Sequence, residues 1–253
     1  MWRDELGKVT RYYFLTFHYH GRDQKKYEKY TGLYHHHLKK YAEEYEKSHT
    51  QEYSISVQER RAKVRLLHVA VTQSEQPIDV HIDGKFVATI TYLTPNPSIH
   101  LSAGKHKITL YRKRQSNNPI LHQEITVRSG NRYLVVAANK SDQSTDGIKI
   151  IRYEETDQVP ANKAKIRFIH LSPNAPGLDV MDRQHHISFT DIIYKENTRY
   201  VVTEPGRANI LVKVTGTDNG IASISFDMNA GHAYTLIAAG VANELYWLLL
   251  MDK

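Results

Sequence analysis

Cysteine is absent from the 253-residue chain. That excludes disulfide scaffolds, thiolate catalysis and cysteine-based zinc sites. No stretch approaches the ~20 consecutive apolar residues of a membrane-spanning helix. The opening Met1-Trp2-Arg3-Asp4-Glu5 sets acids where a signal peptide would carry an apolar run of about 7–15 residues. Tyr12 to Phe17 is apolar but short, and gives way to His18, Tyr19 and His20. Read as a complete chain, the protein is expected to be synthesised in the cytoplasm without a signal peptide. Also missing are a G-x-x-x-x-G-K-[ST] phosphate loop, a G-x-G-x-x-G turn and a G-x-S-x-G nucleophile elbow. No catalytic residue, no cofactor and no metal site is therefore assigned, and an enzyme is not expected. Runs of like charge are too short for a nucleic-acid tail, so no specific nucleic-acid partner is expected either.

What is present is an ordinary globular composition, 40% hydrophobic and 24% charged, which excludes a disordered chain. The length calls for two or three domains. The net charge of +7 favours polyanions weakly.

An internal repeat organises most of the sequence. Lys63-Val64-Arg65-Leu66-Leu67-His68 returns as Lys165-Ile166-Arg167-Phe168-Ile169-His170, 102 residues later. Ile78-Asp79-Val80 returns as Leu178-Asp179-Val180. Ala103-Gly104 followed by Ile108-Thr109-Leu110 matches Pro205-Gly206 followed by Ile210-Leu211-Val212. Finally, Gly130-Asn131-Arg132-Tyr133 and its apolar run match Gly231-His232-Ala233-Tyr234. Each copy reads as short strands with turn signals every ~8–12 residues, the pattern of a β-sandwich. Asp83-Gly84 between alternating segments marks a hairpin, because that turn needs positive φ. Arg65 and Arg167, alternating with apolar neighbours, predict a strand with one wet face. The last strand, Leu245 to Met251, is nearly all apolar and fits either a covered core strand or an exposed edge. Recurring His68 and His170, and recurring Asp79 and Asp179, fit hydrogen-bonded structural positions better than a site.

The N-terminal segment differs. Tyr27, Tyr30, Tyr34, Leu38, Tyr41 and Tyr45 fall at spacings of 3, 4, 4, 3 and 4, one stripe of a helix. The helix is expected from about Arg22 to Lys47, with Gly21 turning the chain back from an earlier element over Asp4 to Tyr19. That earlier element fits strand alternation as well as a helix. Tyrosine joins an apolar body to a polar tip, which suits interfaces, so these six residues are the candidate interaction site. His35-His36-His37 cannot converge on one ion, because consecutive helical residues point about 100° apart.

Ile166 to Val180, with His170-Leu171-Ser172-Pro173-Asn174-Ala175-Pro176, resembles the bacterial family catalogued as domain of unknown function 4397. Members open with V-R-x-x-H-A-S-P-x-A-P-x-V-D-V and carry a late G-x-x-Y-T-V-x-A-x-G strand. The first copy departs at Val71 to Pro77, and the second at Met181 to His186, where the Asp-Gly turn is replaced. The resemblance covers about Ala62 to Lys253. It implies tandem immunoglobulin-like sandwiches, no known catalytic residues, and a family of exported surface proteins.

The expected architecture is mainly β, with a helical segment over 1–61, one sandwich over 62–155 and another over 163–253. The expected function is a non-enzymatic structural or assembly protein of a bacterial surface layer. It would self-associate through the N-terminal segment or bind other coat proteins. A spore coat reconciles a surface domain with cytoplasmic synthesis. The alternative is a module that binds an acidic envelope polymer or glycan through Lys105, Lys107, Arg112, Lys113 and Arg114.

Overall fold

The computed structural model describes residues 2–48, 61–115, 117–142, 147–156 and 158–252. Two helices lead the chain: α1, Trp2–Tyr19, and α2, Gln24–Ser48. Gly21 turns between them at φ 73°. Asp23 caps α2 by accepting the amide N–H of Lys26 at 3.1 Å, which satisfies one of the orphan donors of a helix start. The segment that also fitted a strand is helical, because Glu5, Val9, Tyr12, Thr16 and Tyr19 then line one face.

Sixteen strands follow among the described residues, eight in each copy. The first copy holds β1 (Ala62–His68), β2 (Ile78–Ile82), β3 (Lys85–Ile90), β4 (Ile99–Leu101), β5 (Gly104–Arg112), β6 (Pro119–Val127), β7 (Arg132–Asn139) and β8 (Ile148–Glu155). The second holds β9 (Ala164–His170), β10 (Leu178–Asp182), β11 (Ile187–Ile192), β12 (Val201–Thr203), β13 (Gly206–Val214), β14 (Gly220–Met228), β15 (Ala233–Val241) and β16 (Glu244–Asp252). Sheet orders are β4-β1-β7-β8 with β3-β2-β5-β6, and β12-β9-β15-β16 with β11-β10-β13-β14. The second pair repeats the first strand for strand, so each copy is a four-on-four sandwich. Residues 1–138 with 147–155 form one compact unit, and 139–146 with 156–253 the other.

The opening strand of each copy pairs parallel with the late one, Lys63↔Arg132 through His68↔Ala137 and Lys165↔Ala233 through His170↔Ala238. Between β2 and β3, Asp83 and Gly84 take φ 52° and 79°, the left-handed turn that the Asp-Gly pair predicts. The first core packs Val64, Leu66, Val80, Ile108, Tyr133 and Val135 among others. Each large aliphatic side chain buried there contributes about 1.5–3 kcal/mol.

The expectation of a wet face at the repeat's arginines is corrected. Arg167 is 1% exposed. Its Nε donates to Thr235 Oγ1 at 3.0 Å, and its guanidinium lies 4.7 Å from the centre of the Tyr200 ring. Arg65 pairs with the carboxylate of Glu155, and both side chains are largely buried. The apolar strand β16 lies at a sheet edge beside β15. It buries Leu248 and Leu250 while leaving Met251 half exposed.

His68 and His170 are fully buried and make the same bonds. Each Nδ1 accepts the backbone N–H two residues on, from Ala70 at 3.2 Å and from Ser172 at 3.3 Å. Each Nε2 donates to the carbonyl of a loop residue, Gln73 or Pro176, at 3.1 Å. The rings are neutral, and burial holds both pKa values below the ordinary histidine value of 6.5. Tyr133 and Tyr234 recur likewise: each hydroxyl accepts the N–H five residues earlier, from Arg128 at 3.1 Å and Asn229 at 2.7 Å. Such a bond fixes the corner that leads into the strand.

A depressed histidine pKa gives stability that is present above pH 6.5 and lost as pH falls through the folded value. His170→Asn is therefore expected to flatten the fall in stability between pH 6.5 and 5. His170→Ala, which leaves the Ser172 N–H and the Pro176 carbonyl without their partner, is expected to cost about 3 kcal/mol. Urea unfolding of both variants across that pH range checks the two outcomes.

Candidate functional site

The helical hairpin is held by an aromatic seam. Tyr12 stacks on His37 at 5.2 Å between ring centres and on Tyr30 at 6.4 Å. Tyr19 stacks on Tyr30 at 5.4 Å, Tyr13 tilts against Tyr34 at 5.2 Å, and His20 meets Tyr27 edge-on at 5.0 Å. Of the six predicted interaction residues, Tyr30 and Tyr34 thus join α2 to α1 within the chain, and Tyr27 meets the turn between them. Tyr41 is half-buried, Leu38 is 40% exposed, and the side chain of Tyr45 lies outside the described residues. His37 takes the seam position beside Tyr34, leaving Leu38 on the outside.

At one end of the seam lies a charge cluster that periodicity did not reveal. Glu5 is 4% exposed. It accepts hydrogen bonds from Lys8 Nζ at 2.8 Å and His37 Nδ1 at 2.7 Å, with Lys40 Nζ 3.7 Å away. These partners, Lys8 foremost, lower its pKa from 4.5 to about 2. The signal in the sequence was a lone acid in register with Val9 and Tyr12.

In each sandwich a carboxylate–imidazole pair closes the hairpin after the second strand. Asp83 Oδ2 accepts from His106 Nδ1 at 2.6 Å, and Asp83 Oδ1 from the Lys107 amide at 2.9 Å. In the other copy Asp182 Oδ2 accepts from His185 Nδ1 at 2.9 Å and from the Asn209 amide at 2.7 Å. The pairs resemble an oriented general base, but His106 Nε2 donates to the Ser102 carbonyl at 2.8 Å. Both ring nitrogens of His106 are donors, so no lone pair is left to take a proton from a substrate. Burial opposes a charged ring there, and the bonds to Asp83 and Ser102 overcome it, raising its pKa. Recurring Asp79 and Asp179 also bind turns: Asp79 accepts from Thr89 and the Arg114 amide, Asp179 from the Asp191 amide and Thr215.

The second unit carries an open groove of about 970 Å³ beside the Pro173–Gly177 loop, bordered by Tyr194, Lys195 and Lys140. The Tyr194 hydroxyl donates to the Asn139 carbonyl at 2.8 Å and Lys195 Nζ to the Lys140 carbonyl. Burial pushes the Tyr194 pKa well up. These polar groups are spent on backbone carbonyls. The five basic residues of the alternative reading do not form one cluster. Lys105 and Lys107 are exposed on β5, Arg112 donates to Gln73 Oε1 at 3.1 Å, and Lys113 and Arg114 lie in the following turn.

Residues 62–181 match the family DUF4397, a domain of unknown function. The match takes in the whole first copy and the opening of the second. No curated protein matches the chain. Among solved structures, a Bacteroides uniformis protein assigned provisionally to cell adhesion is 8% identical, covering 76% of this chain and 98% of its own, at a TM-score of 0.23. A family 26 carbohydrate-binding module of Eubacterium rectale Amy13K, solved with maltoheptaose, is 11% identical over 76% and 96%, at 0.22. A fimbrial assembly protein of Parabacteroides distasonis is 13% identical over 76% and 98%, at 0.21. Among the described residues no helix is long and apolar enough to cross a membrane.

Glu5→Gln removes the charge that Lys8, His37 and Lys40 surround. Because the folded pKa is depressed, the stabilisation is present above pH 4.5 and is lost as pH falls toward 2. The variant is expected to lower the helical signal at 222 nm at neutral pH. It should also remove the part of the acid melting between pH 4.5 and 2 that the parent shows, as circular dichroism against pH will report.

Proposed function

We propose that the chain is a non-catalytic structural protein of a bacterial surface layer, and that it self-associates through the α1–α2 hairpin. The observation that carries this reading is the state of the tyrosine stripe. Tyr27, Tyr30, Tyr34 and Tyr41 remain only half-buried after α1 has packed on α2, and Leu38 stands 40% exposed beside them. A hairpin gives each helix one helical neighbour. A second hairpin would give each a further neighbour, as in a four-helix bundle, and cover the stripe. Tyrosine and histidine keep a polar tip while adding apolar area, which suits a surface that is wet before assembly and dry after it.

Two further points fit. The two sandwiches spend their recurring histidines and acids on holding loops, as rigid spacers would. A spore coat is the layer we favour, because the Tyr- and His-rich composition of the hairpin is similar to that of coat proteins. The second reading, a module for an acidic polymer, is favoured by the exposed Lys105 and Lys107 and is taken up below.

Tyr30 and Tyr34 bind the hairpin to itself, so their removal would confound folding with assembly. Leu38→Glu changes the outer surface alone. Light scattering of the full chain is expected to give a mass above the 29.2 kDa of one chain. The Leu38→Glu variant is expected to shift toward that value with its helical signal unchanged. A single-chain mass for the parent at both low and high salt would overturn the reading.

A further inference from the structure

The outer face of β3-β2-β5-β6 carries rings that its counterpart in the second copy lacks. Phe86, His81, Thr109 and His122 stand in one row across the four strands: His81 is opposite both Phe86 and Thr109, and Thr109 is opposite His122. Cross-strand partners project on the same face. Val80 and Ile82, which alternate with His81, are 1% and 4% exposed, so the row points away from the core. Tyr111 stands in the next row, opposite Asp79. His81 meets Phe86 edge-on at 5.7 Å and Tyr111 at 4.9 Å. Thr109 Oγ1 lies 3.0 Å from His122 Nδ1. Phe86 is 59% exposed, the most open large apolar side chain among the described residues.

The second copy supplies an internal control. Its corresponding row is Met181, Ser188, Leu211 and Ser223, with Lys213 in place of Tyr111. The same eight-strand sandwich forms there without a ring on that face. Folding therefore does not call for Phe86, His81 or Tyr111, and an open Phe86 beside the half-buried rings of His81 and Tyr111 marks a contact surface.

Charge narrows the partner. Lys105 and Lys107 on β5, and Lys85, are exposed on one side of the row. Lys113 and Arg114 lie on the other side, about 20 Å from Lys107 along an extended strand. Glu124 sits opposite Lys107, and Asp79 lies among the rings. Acids placed among the cations repel a dense phosphate backbone, which needs a continuous positive track. Glu124 suits a hydroxyl-rich chain, whose O–H groups a carboxylate accepts, while Asp79 holds Thr89 and the Arg114 amide.

We propose that this face binds a linear acidic saccharide, one that sets hydroxyl groups between its carboxylates. The C–H faces of the sugar rings pack on Phe86 and the edge of the His81–Tyr111 pair. Sugar hydroxyls bond to His122, and the saccharide carboxylates meet Lys107 and Lys105. The site is on the first sandwich and does not depend on the hairpin's assembly.

The test is calorimetric titration of the full chain with oligosaccharides of hyaluronan, polygalacturonate and alginate, and with single-stranded oligo(dT). At least one acidic saccharide is expected to bind. The double variant His81→Met, Phe86→Ser, which installs the residues of the second copy, should weaken that binding at least tenfold without moving the unfolding midpoint. Lys107→Gln should weaken it and reduce its salt dependence. Three outcomes each overturn the proposal: no binding to any of the three saccharides, unchanged affinity in the double variant, or tighter binding of oligo(dT) through the same residues. A light-scattering mass on the same samples reports hairpin assembly separately.

Discussion

Each sandwich depends on one pairing, the parallel contact of its first strand with its seventh. β1 lies beside β7 and β9 beside β15, so Lys63 meets Arg132 and Lys165 meets Ala233 at the centre of a sheet, far apart in the chain. β7 and β15, inside those sheets, are buried at nearly every residue, so both of their faces are covered. That is why Leu134 to Ala138 and Leu236 to Ala239 are continuous apolar runs rather than alternating ones. It also explains the arginines. Arg65 and Arg167 sit on the strands beside them and survive there because Glu155, or Thr235 with Tyr200, is within reach. A buried charge needs such partners.

Where the parallel strand ends, the chain must leave the sheet for the next one. The buried imidazole of His68 or His170 holds that exit by taking one N–H and giving one to a carbonyl, which no apolar residue of the same size can do. The tyrosine hydroxyls do the equivalent at the entry to β7 and β15. Loop and corner are thus fixed by neutral groups whose loss would leave buried backbone polar groups unpaired.

Comparing the two copies separates what the fold needs from what it merely permits. The hairpin carboxylate is kept in both, yet its imidazole comes from β5 in one, as His106, and from the turn itself in the other, as His185. At the position of Ile224 in the second copy the first has Gln123, whose side-chain amide pairs with both the N–H and the carbonyl of Ile150, at 2.9 and 2.7 Å. That amide acts as a short piece of strand and occupies the edge of β8, an edge that would otherwise offer unpaired backbone groups. The ring cluster at His81, Phe86 and Tyr111 has no counterpart at all. Differences of this kind, under an unchanged strand order, are where function is free to sit.

Residue order alone makes legible the repeat, the strand openings, the Asp83-Gly84 turn and the helical stripe. Each of these is a local matter: a period of two or of 3.6 residues, or a positive φ that only certain residues accept. It also marked the recurring histidines and tyrosines, because the second copy repeats them. What those residues bond to is set by the folded chain. Glu5 sits 32 residues from His37 and Arg65 lies 90 from Glu155; periodicity carries no information across such distances. The same holds for the predicted interface. The spacing of Tyr27, Tyr30 and Tyr34 placed them on one face of a helix, but the return of α1 along that face decided that they pack inside the hairpin and that Leu38 stays out. The aromatic row was hidden for a further reason. Phe86, His81, Thr109 and His122 come from four strands, and a row perpendicular to the chain exists only once the registers are set.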